Sequence, residues 1–223
     1  MSALLRTRLT AFGAARDGLA AMEFAFIAPI MLLLALGATD TARYVIATER
    51  VEKVAGTIGQ MITENGSGNV TYLDLQFYHD SAMVIFPDVL SAAAQQNVSW
   101  NQDIAISMAS VQFATTQTNC GATCAYTPKV VWTGGSNPRP CAPTLIQAAS
   151  DAIVPSPTTL PPDVYGPGSI IVVDVQFNFR TLFGSYLPSI ISISRSVYLA
   201  PRYVPLISYQ VISGDNGIAQ TCP

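Results

Sequence analysis

One carboxylate stands inside an otherwise apolar run. Glu23 is the single charged residue of Leu19 to Ala38, LAAMEFAFIAPIMLLLALGA. A carboxylate at the centre of a membrane-spanning helix costs ~2.5–3.5 kcal/mol, and less near the helix end. Two readings stand. Glu23 is an acid tolerated at the interface, or it waits for a cation supplied when helices pack side by side, because a buried charge needs a partner. The second chemically active group is the cysteines: Cys120, Cys124, Cys141 and Cys222. Outside a reducing compartment they are disulfide candidates with three possible pairings. The expected pairing joins Cys120 to Cys124 locally and Cys141 to Cys222 across a long loop, pinning the C-terminal tail. Zinc is the rival, since Cys-x3-Cys lies within zinc-ligand spacing, but no second half-site accompanies it.

Other residue types that serve catalysis lack their context. His79-Asp80-Ser81 holds the residues of a hydrolytic triad, but contiguously, whereas a triad is a spatial arrangement, and no Gly-x-Ser-x-Gly turn accompanies it. These read as surface polar residues. Gly13 and Gly18 have the glycine spacing of a phosphate loop, but Leu19 stands where the lysine is required and no strand precedes them. There is no Gly-x-Gly-x-x-Gly. Asp174 reads as a solvent-facing position on a half-buried strand. The expectation is a protein that is not an enzyme and takes no metal or cofactor.

Composition sharpens this. Of 223 residues, 50% are hydrophobic and 11% charged, against ~25% charged in an average soluble domain. That argues against a freely soluble enzyme and against a disordered chain. The formal charge of −3 argues against a nucleic-acid partner, whose binders usually carry a basic patch.

The elements that hold these residues follow from periodicity. Residues 19–38 suffice to cross the ~30 Å core of a bilayer. Arg6, Arg8 and Arg16 precede the run against Asp17 alone, which favours a cytoplasmic N-terminus. A cleaved signal peptide is the rival. Against it, the run exceeds the ~7–15 residues of a typical signal core, and GATDTARYV continues a helical pattern. Pro29, inside the span, predicts a kink near residues 25–29 that membrane helices accommodate. Beyond Asp40, apolar residues at Val45, Ile46, Val51, Val54, Ile58, Met61 and Ile62 recur at helical spacing among charged ones. Glu49 and Lys53 are four apart in the favourable order for an ion pair. Glu64-Asn65-Gly66-Ser67-Gly68 is a clear stop. A helix over residues 19–63 would be ~68 Å long.

Taken together, RDGLAAMEFAFIAPIMLLLALGATDTAR resembles the start of TadE-like proteins, minor pseudopilins of the tight-adherence (type IVb) pilus system. The matching positions are Gly18, Glu23, Phe24, Pro29, Asp40 and Arg43, and the likeness covers about residues 16–55. The resemblance implies that residues 1–18 are a cytoplasmic leader removed by a prepilin peptidase. Gly18 would supply the carbonyl of the scissile bond and Leu19 would become the N-terminal residue. Glu23 would then pair with such an amine, on its own or a neighbouring subunit. It further implies a bacterial inner-membrane protein, single-pass, with a periplasmic head. Its partners would be other pilins or pseudopilins, the inner-membrane assembly platform and the lipid bilayer. The alternative is a membrane-tethered periplasmic binding or sensory module with an uncleaved anchor. Relatives of the TadG type often carry a metal loop, Asp-x-Ser-x-Ser; none occurs here, and no metal is carried over. The sequons at Asn65 and Asn97 have no meaning in a bacterial setting.

Residues 70–223 form the expected head. Tyr72–Tyr78 and Ser81–Gln96 lean helical, with Pro87 as interruption or first-turn residue. Asp103–Phe113, Lys129–Thr133, Ser169–Phe179 and Ser192–Leu199 read as strands, and Leu206–Ile212 as another candidate. Pro143–Val154 reads as a helix, proline-rich Pro155–Gly168 as a loop, and Arg180–Ile191 as a short helix or loop. The fold class is α+β: a long N-terminal transmembrane helix extending into a head with a mainly antiparallel sheet. The loose similarity of VVDVQFNF and SRSVYLAPRY to the end of TadE- and TadG-type chains agrees with that.

Overall fold

A computed structural model describes residues 17–115, 117, 124–148, 156–182 and 190–223, with side chains from residue 21. The chain divides into two compact units, Met1–Tyr44 and Val45–Pro223.

The first unit is the apolar part of helix α1 (Asp17–Thr63), which continues past Pro29. This helix is long and apolar enough to cross a membrane, with a mean hydropathy of 2.1 in its most apolar window. Its large side chains, among them Phe26, Ile30 and Leu34, are exposed. Two hydroxyls in it are satisfied within the helix: Thr39 Oγ1 donates to the Ala35 carbonyl at 2.9 Å and Thr41 Oγ1 to the Gly37 carbonyl at 2.8 Å. Such back-bonding lets threonine sit in an apolar helix without an orphaned donor. Asp40 and Arg43 pair at 3.3 Å.

The second unit is an α+β head. The end of α1 contributes Val51, Val54, Ala55, Ile58 and Ile62, all fully buried, so the apolar stripe is a packing face from Val51 onward, while Val45 and Ile46, expected on the same stripe, are exposed. The turn after it closes where Asn65 Oδ1 accepts the Ser67 N–H at 2.9 Å, and Gly68 takes a positive φ of 75°. After the two-residue strand β1 (Asn69–Val70), Thr71 and Asp74 form a reciprocal capping box at the start of α2 (Tyr72–Asp80), an arrangement worth ~0.5–2 kcal/mol. α3 (Ala82–Ile85) and α4 (Asp88–Gln96) follow, with Pro87 capping α4. A short helix α5 (Trp100–Asp103) runs directly into β2 (Ile104–Thr115).

The remaining strands are β3 (Tyr126–Gly135), β4 (Ile146–Gln147), β5 (Thr159–Leu160), β6 (Gly168–Arg180), β7 (Ile190–Leu199), β8 (Ser208–Tyr209) and β9 (Ala219–Thr221). The main sheet has five strands in the order β7-β6-β2-β3-β9, antiparallel throughout. A bulge at Ser110/Val111 shifts the β2–β3 register. Gly135, at φ 97°, brings its backbone so close to the Ile106 carbonyl that a Cβ would lie 2.1 Å from it. Only glycine fits there.

One sheet face packs against the helices. Gly59 of α1 meets Leu199 and Val173 there, where an added Cβ would sit 3.0 Å from Leu199 Cδ1. Phe86 contacts Phe177 edge-on with ring centroids 4.9 Å apart. The opposite face carries a second core of Ala109, Val111, Phe113, Val130, Leu145, Leu160 and Val172, covered by the excursion between β3 and β6. That excursion corrects one expectation. Ile146–Gln147 is a strand, paired in parallel with Thr159–Leu160, where residues 143–154 were expected to be a helix. Leu145 is buried just before the strand, and both strand residues are exposed; the parallel backbone pairing, not an apolar helix face, fixes the segment. Residues 149–155 lie outside the described residues, as do residues 183–189 of the segment expected as short helix or loop. There, Arg180 ends β6 and Ile190 and Ile191 open β7.

Candidate functional site

The residues that the sequence singles out at the N-terminus share one stretch of α1. Gly18 and Leu19 lie in its first turn. Glu23 and Phe24 follow one turn later, both exposed on the helix, with Phe24 at 70%. Glu23 and Leu19 are separated by four positions. That spacing places them on the same helix face, one above the other. The first backbone N–H groups of any helix also lack intrahelical acceptors, and the helix dipole makes its start electropositive. Glu23 is the seventh residue of α1, beyond the first turn in which that charge acts; in a helix that began at Leu19 it would stand one turn from the start.

The cysteines resolve into structural bonds. Cys141 and Cys222 are disulfide-bonded with Cα atoms 5.2 Å apart and 81 positions between them. Cys124 is also disulfide-bonded. Cys120, its expected partner, lies outside the described residues. Zinc is thereby excluded as the role of Cys124, Cys141 and Cys222. The Cys141–Cys222 bond ties the excursion to β9, which pairs with β3 through three residues only, Ala219–Thr221.

His79-Asp80-Ser81 does not assemble a relay. His79 Nδ1 lies 3.2 Å from Asp80 Oδ1, and its ring packs on Trp100 with centroids 4.9 Å apart. Ser81 Oγ donates to the Tyr78 carbonyl at 2.6 Å, so it closes the end of α2. Among the described residues, no three His, Cys, Asp or Glu side chains converge as metal ligands. Glu49 and Lys53 form no ion pair; both line a wide groove open to solvent, where an exposed pair gains little.

Asp174 corrects the sequence reading. It is not simply a solvent-facing residue. Arg139, 1% exposed, holds it with two hydrogen bonds, Nε to Oδ2 at 2.9 Å and Nη2 to Oδ1 at 3.0 Å. Arg139 Nη1 also donates to the Thr159 carbonyl at 2.8 Å, and the Ser196 hydroxyl donates to Asp174. This two-pronged pairing suits a buried guanidinium, which keeps its charge and needs most of its donors satisfied. It clips the excursion to the middle of the sheet. Sequence reasoning missed Arg139 because Asn-Pro-Arg-Pro carries no signature; only the fold brings it under Asp174.

A second buried acid, Asp103, accepts from Gln96 Nε2 at 3.0 Å through one oxygen, while the other has no partner. Burial pushes its carboxyl above the ordinary carboxylate range, opposed by the Gln96 hydrogen bond and by the nearby Arg180 charge. Tyr209, whose hydroxyl donates to Asp215, is pushed well above the usual phenol range by burial and by that carboxylate. Both are features of a well-packed head rather than of a cleft.

Comparison with known proteins adds one match. The family model described as TadE-like protein matches residues 18–57, which begins at Gly18 and runs through Glu23, Phe24, Pro29, Asp40 and Arg43. No curated protein and no solved structure matches the chain.

Proposed function

We propose that this protein is a structural component of a tight-adherence (type IVb) pilus system, a minor pseudopilin that assists pilus assembly and performs no catalysis. The observation that carries the reading is the start of the family match at Gly18, directly before an apolar run whose fifth residue is Glu23. In this reading the head is periplasmic and the helix crosses the inner membrane once, with residues 1–18 as its cytoplasmic leader. A prepilin peptidase cuts after Gly18, which leaves a free α-amine on Leu19.

That cut changes the electrostatics of the helix start. A new cation appears at the electropositive end, one turn from Glu23. The carboxylate can then pair with the amine of its own chain or with that of a neighbour at the right stagger. A misplaced neighbour leaves a charge unpaired in an apolar setting, which costs several kcal/mol by order of magnitude. The pair thereby specifies how helices align. Other pilins or pseudopilins and the membrane assembly platform are the partners this requires.

Replacing Gly18 with a bulky residue tests the proposal. Gly18→Trp should leave the protein at its unprocessed mass in membranes from cells that hold an active prepilin peptidase. Processing of Gly18→Trp at the normal site would contradict it.

A further inference from the structure

Within the head, the buried end of α1 and the central strand β6 keep level with each other. A Cβ on Gly59 would lie 3.7 Å from Val173. Nine positions earlier in the helix, Arg50 Nη1 donates to the Ile85 carbonyl at 3.1 Å. The next residue, Phe86, packs on Phe177 with ring centroids 4.9 Å apart. Nine helix residues cover ~13 Å, and so do the four strand residues from Val173 to Phe177. Continued in the same direction, two strand residues (~7 Å) lead to Phe179, and four helix residues (~6 Å) lead back from Arg50 to Ile46. The last pair of the β6–β7 ladder, Arg180 with Ile190, comes one step later. The ladder therefore ends level with Val45, the residue at which this unit begins.

Large apolar side chains face outward around that end. Val45 and Ile46 of α1 are 49% and 50% exposed, Ile190 of β7 is 48% exposed, and Leu182, two residues past β6, is 58% exposed. The core closes one step away, where Phe179 and Ile193 are buried, so packing within the head does not account for these four. Arg180, paired with Ile190 in the ladder, is exposed as well. Val45 follows Ala38, the last residue of the apolar run, by seven positions, which is ~10 Å along a helix. A bilayer keeps a headgroup layer of ~5–8 Å on each side of its hydrocarbon core. The two residues from Arg180 to Leu182 supply ~6 Å of chain to close the difference.

We infer that this end of the head seats on the phospholipid surface that α1 enters, with Leu182 and Ile190 inserted at the headgroup–acyl boundary and Arg180 on lipid phosphate. Exposed apolar groups clustered at one end of a domain mark a contact surface. Beside the mouth of a spanning helix the nearest apolar phase is the lipid itself, and apolar side chains enter it to a depth of ~5–10 Å. Arginine suits the same boundary, because its stem lies along apolar surface while the guanidinium meets phosphate with two parallel hydrogen bonds. The contact gives the head a second attachment beside the helix. Every copy in one membrane makes it in the same orientation, so it is compatible with parallel anchoring helices. The inference rests on α1 crossing a membrane and not on processing at Gly18.

The test uses the full-length protein in vesicles of phosphatidylethanolamine and phosphatidylglycerol. Leu182→Cys, Ile190→Cys and Tyr203→Cys each carry a polarity-sensitive fluorophore, attached without reductant so that the native disulfides stay intact. Tyr203 is the control: it is 71% exposed and follows Arg202, whose N–H donates to the Thr63 carbonyl at 3.1 Å. Thr63 stands eighteen positions beyond Val45 in α1, ~27 Å of helix. Nitroxides on the lipid headgroups should quench the labels at residues 182 and 190 several-fold more than the label at residue 203. In the Leu182→Cys background, Ile190→Glu should reduce the quenching several-fold, with retention of the Cys141–Cys222 bond verifying the fold. Equal quenching at the three positions, or quenching at residue 182 that Ile190→Glu leaves unchanged, would overturn the inference. So would label emission that shifts with protein density in the vesicle without quenching by lipid, which would mean that a second copy covers this end. Release of the protein from the vesicles by alkaline carbonate would overturn the membrane crossing together with the inference.

Discussion

At the scale of single residues, two acids of the head are held in opposite ways. Asp174 is saturated: Arg139 takes both oxygens and Ser196 adds a third donor. Asp103 has one oxygen without a partner in a residue only 2% exposed. Its carboxyl is raised above its ordinary value of 3.8, so the protonated form suits the fold better than the ionised one. The sign follows from linkage. Its contribution to stability is fully present below the ordinary carboxylate pKa and is lost as pH rises through the raised value. Asp103→Asn removes that loss. Relative to the unsubstituted protein, the variant should therefore gain stability between pH 4 and pH 7, measured as the difference in unfolding midpoint at the two pH values. An unchanged difference would show that Asp103 does not titrate in this window. Neither acid could be assigned from sequence. Asp174 lay on a strand whose alternation pointed it to one face, but the arginine that covers that face comes from an irregular segment.

At the scale of elements, the periodic segments were legible and the aperiodic ones were not. Of the stripe Val45, Ile46, Val51, Val54, Ile58, Met61 and Ile62, the side chains of Val51, Val54, Ile58 and Ile62 are fully buried, while Val45 and Ile46, nearer the apolar run, are exposed. Gly168–Arg180 was the clearest strand in the chain and is central in the sheet. The two-residue β4 and the three-residue β9 are too short for any period to register, while β8 falls inside the candidate Leu206–Ile212 but spans only Ser208–Tyr209. Leu145 and Ile146 misled because two adjacent apolar residues fit a helix or a strand equally well. What stabilises such short pieces is a cross-link from outside. The Cys141–Cys222 bond closes a loop of 81 positions, worth about 4–5 kcal/mol in the chain-entropy model. Replacing both cysteines with serine should lower the unfolding free energy by roughly 2–5 kcal/mol. Hydrogen exchange should show the loss first at Ala219–Thr221, which pairs over three residues only. Full protection of β9 in the variant would mean that its strand pairing suffices alone.

At the scale of the whole molecule, the chain joins a helix long and apolar enough to cross a membrane to an α+β head. The low charged fraction, 11%, is not owed to the helix: residues 70–223 hold only 13 of the 25 charged residues, so the head too is poor in charge, and the alternating strands and disulfides belong to it. The helix and its likeness to TadE-like proteins could be read from residues 16–55, and the family match at 18–57 covers the same ground. The head gave its class but not its topology, because antiparallel order is set by contacts between distant segments. The proposed pilus function rests on the N-terminal segment, and so does the proposal's central claim that this chain is a processed pseudopilin. Its most direct test is the N-terminal residue of the membrane-bound protein, from intact mass and terminal peptides in cells with and without prepilin peptidase. The account predicts a start at Leu19 that reverts to the unprocessed form when the peptidase is absent. A chain that keeps residues 1–18 in the presence of active peptidase, or one that starts near residue 39, would contradict it.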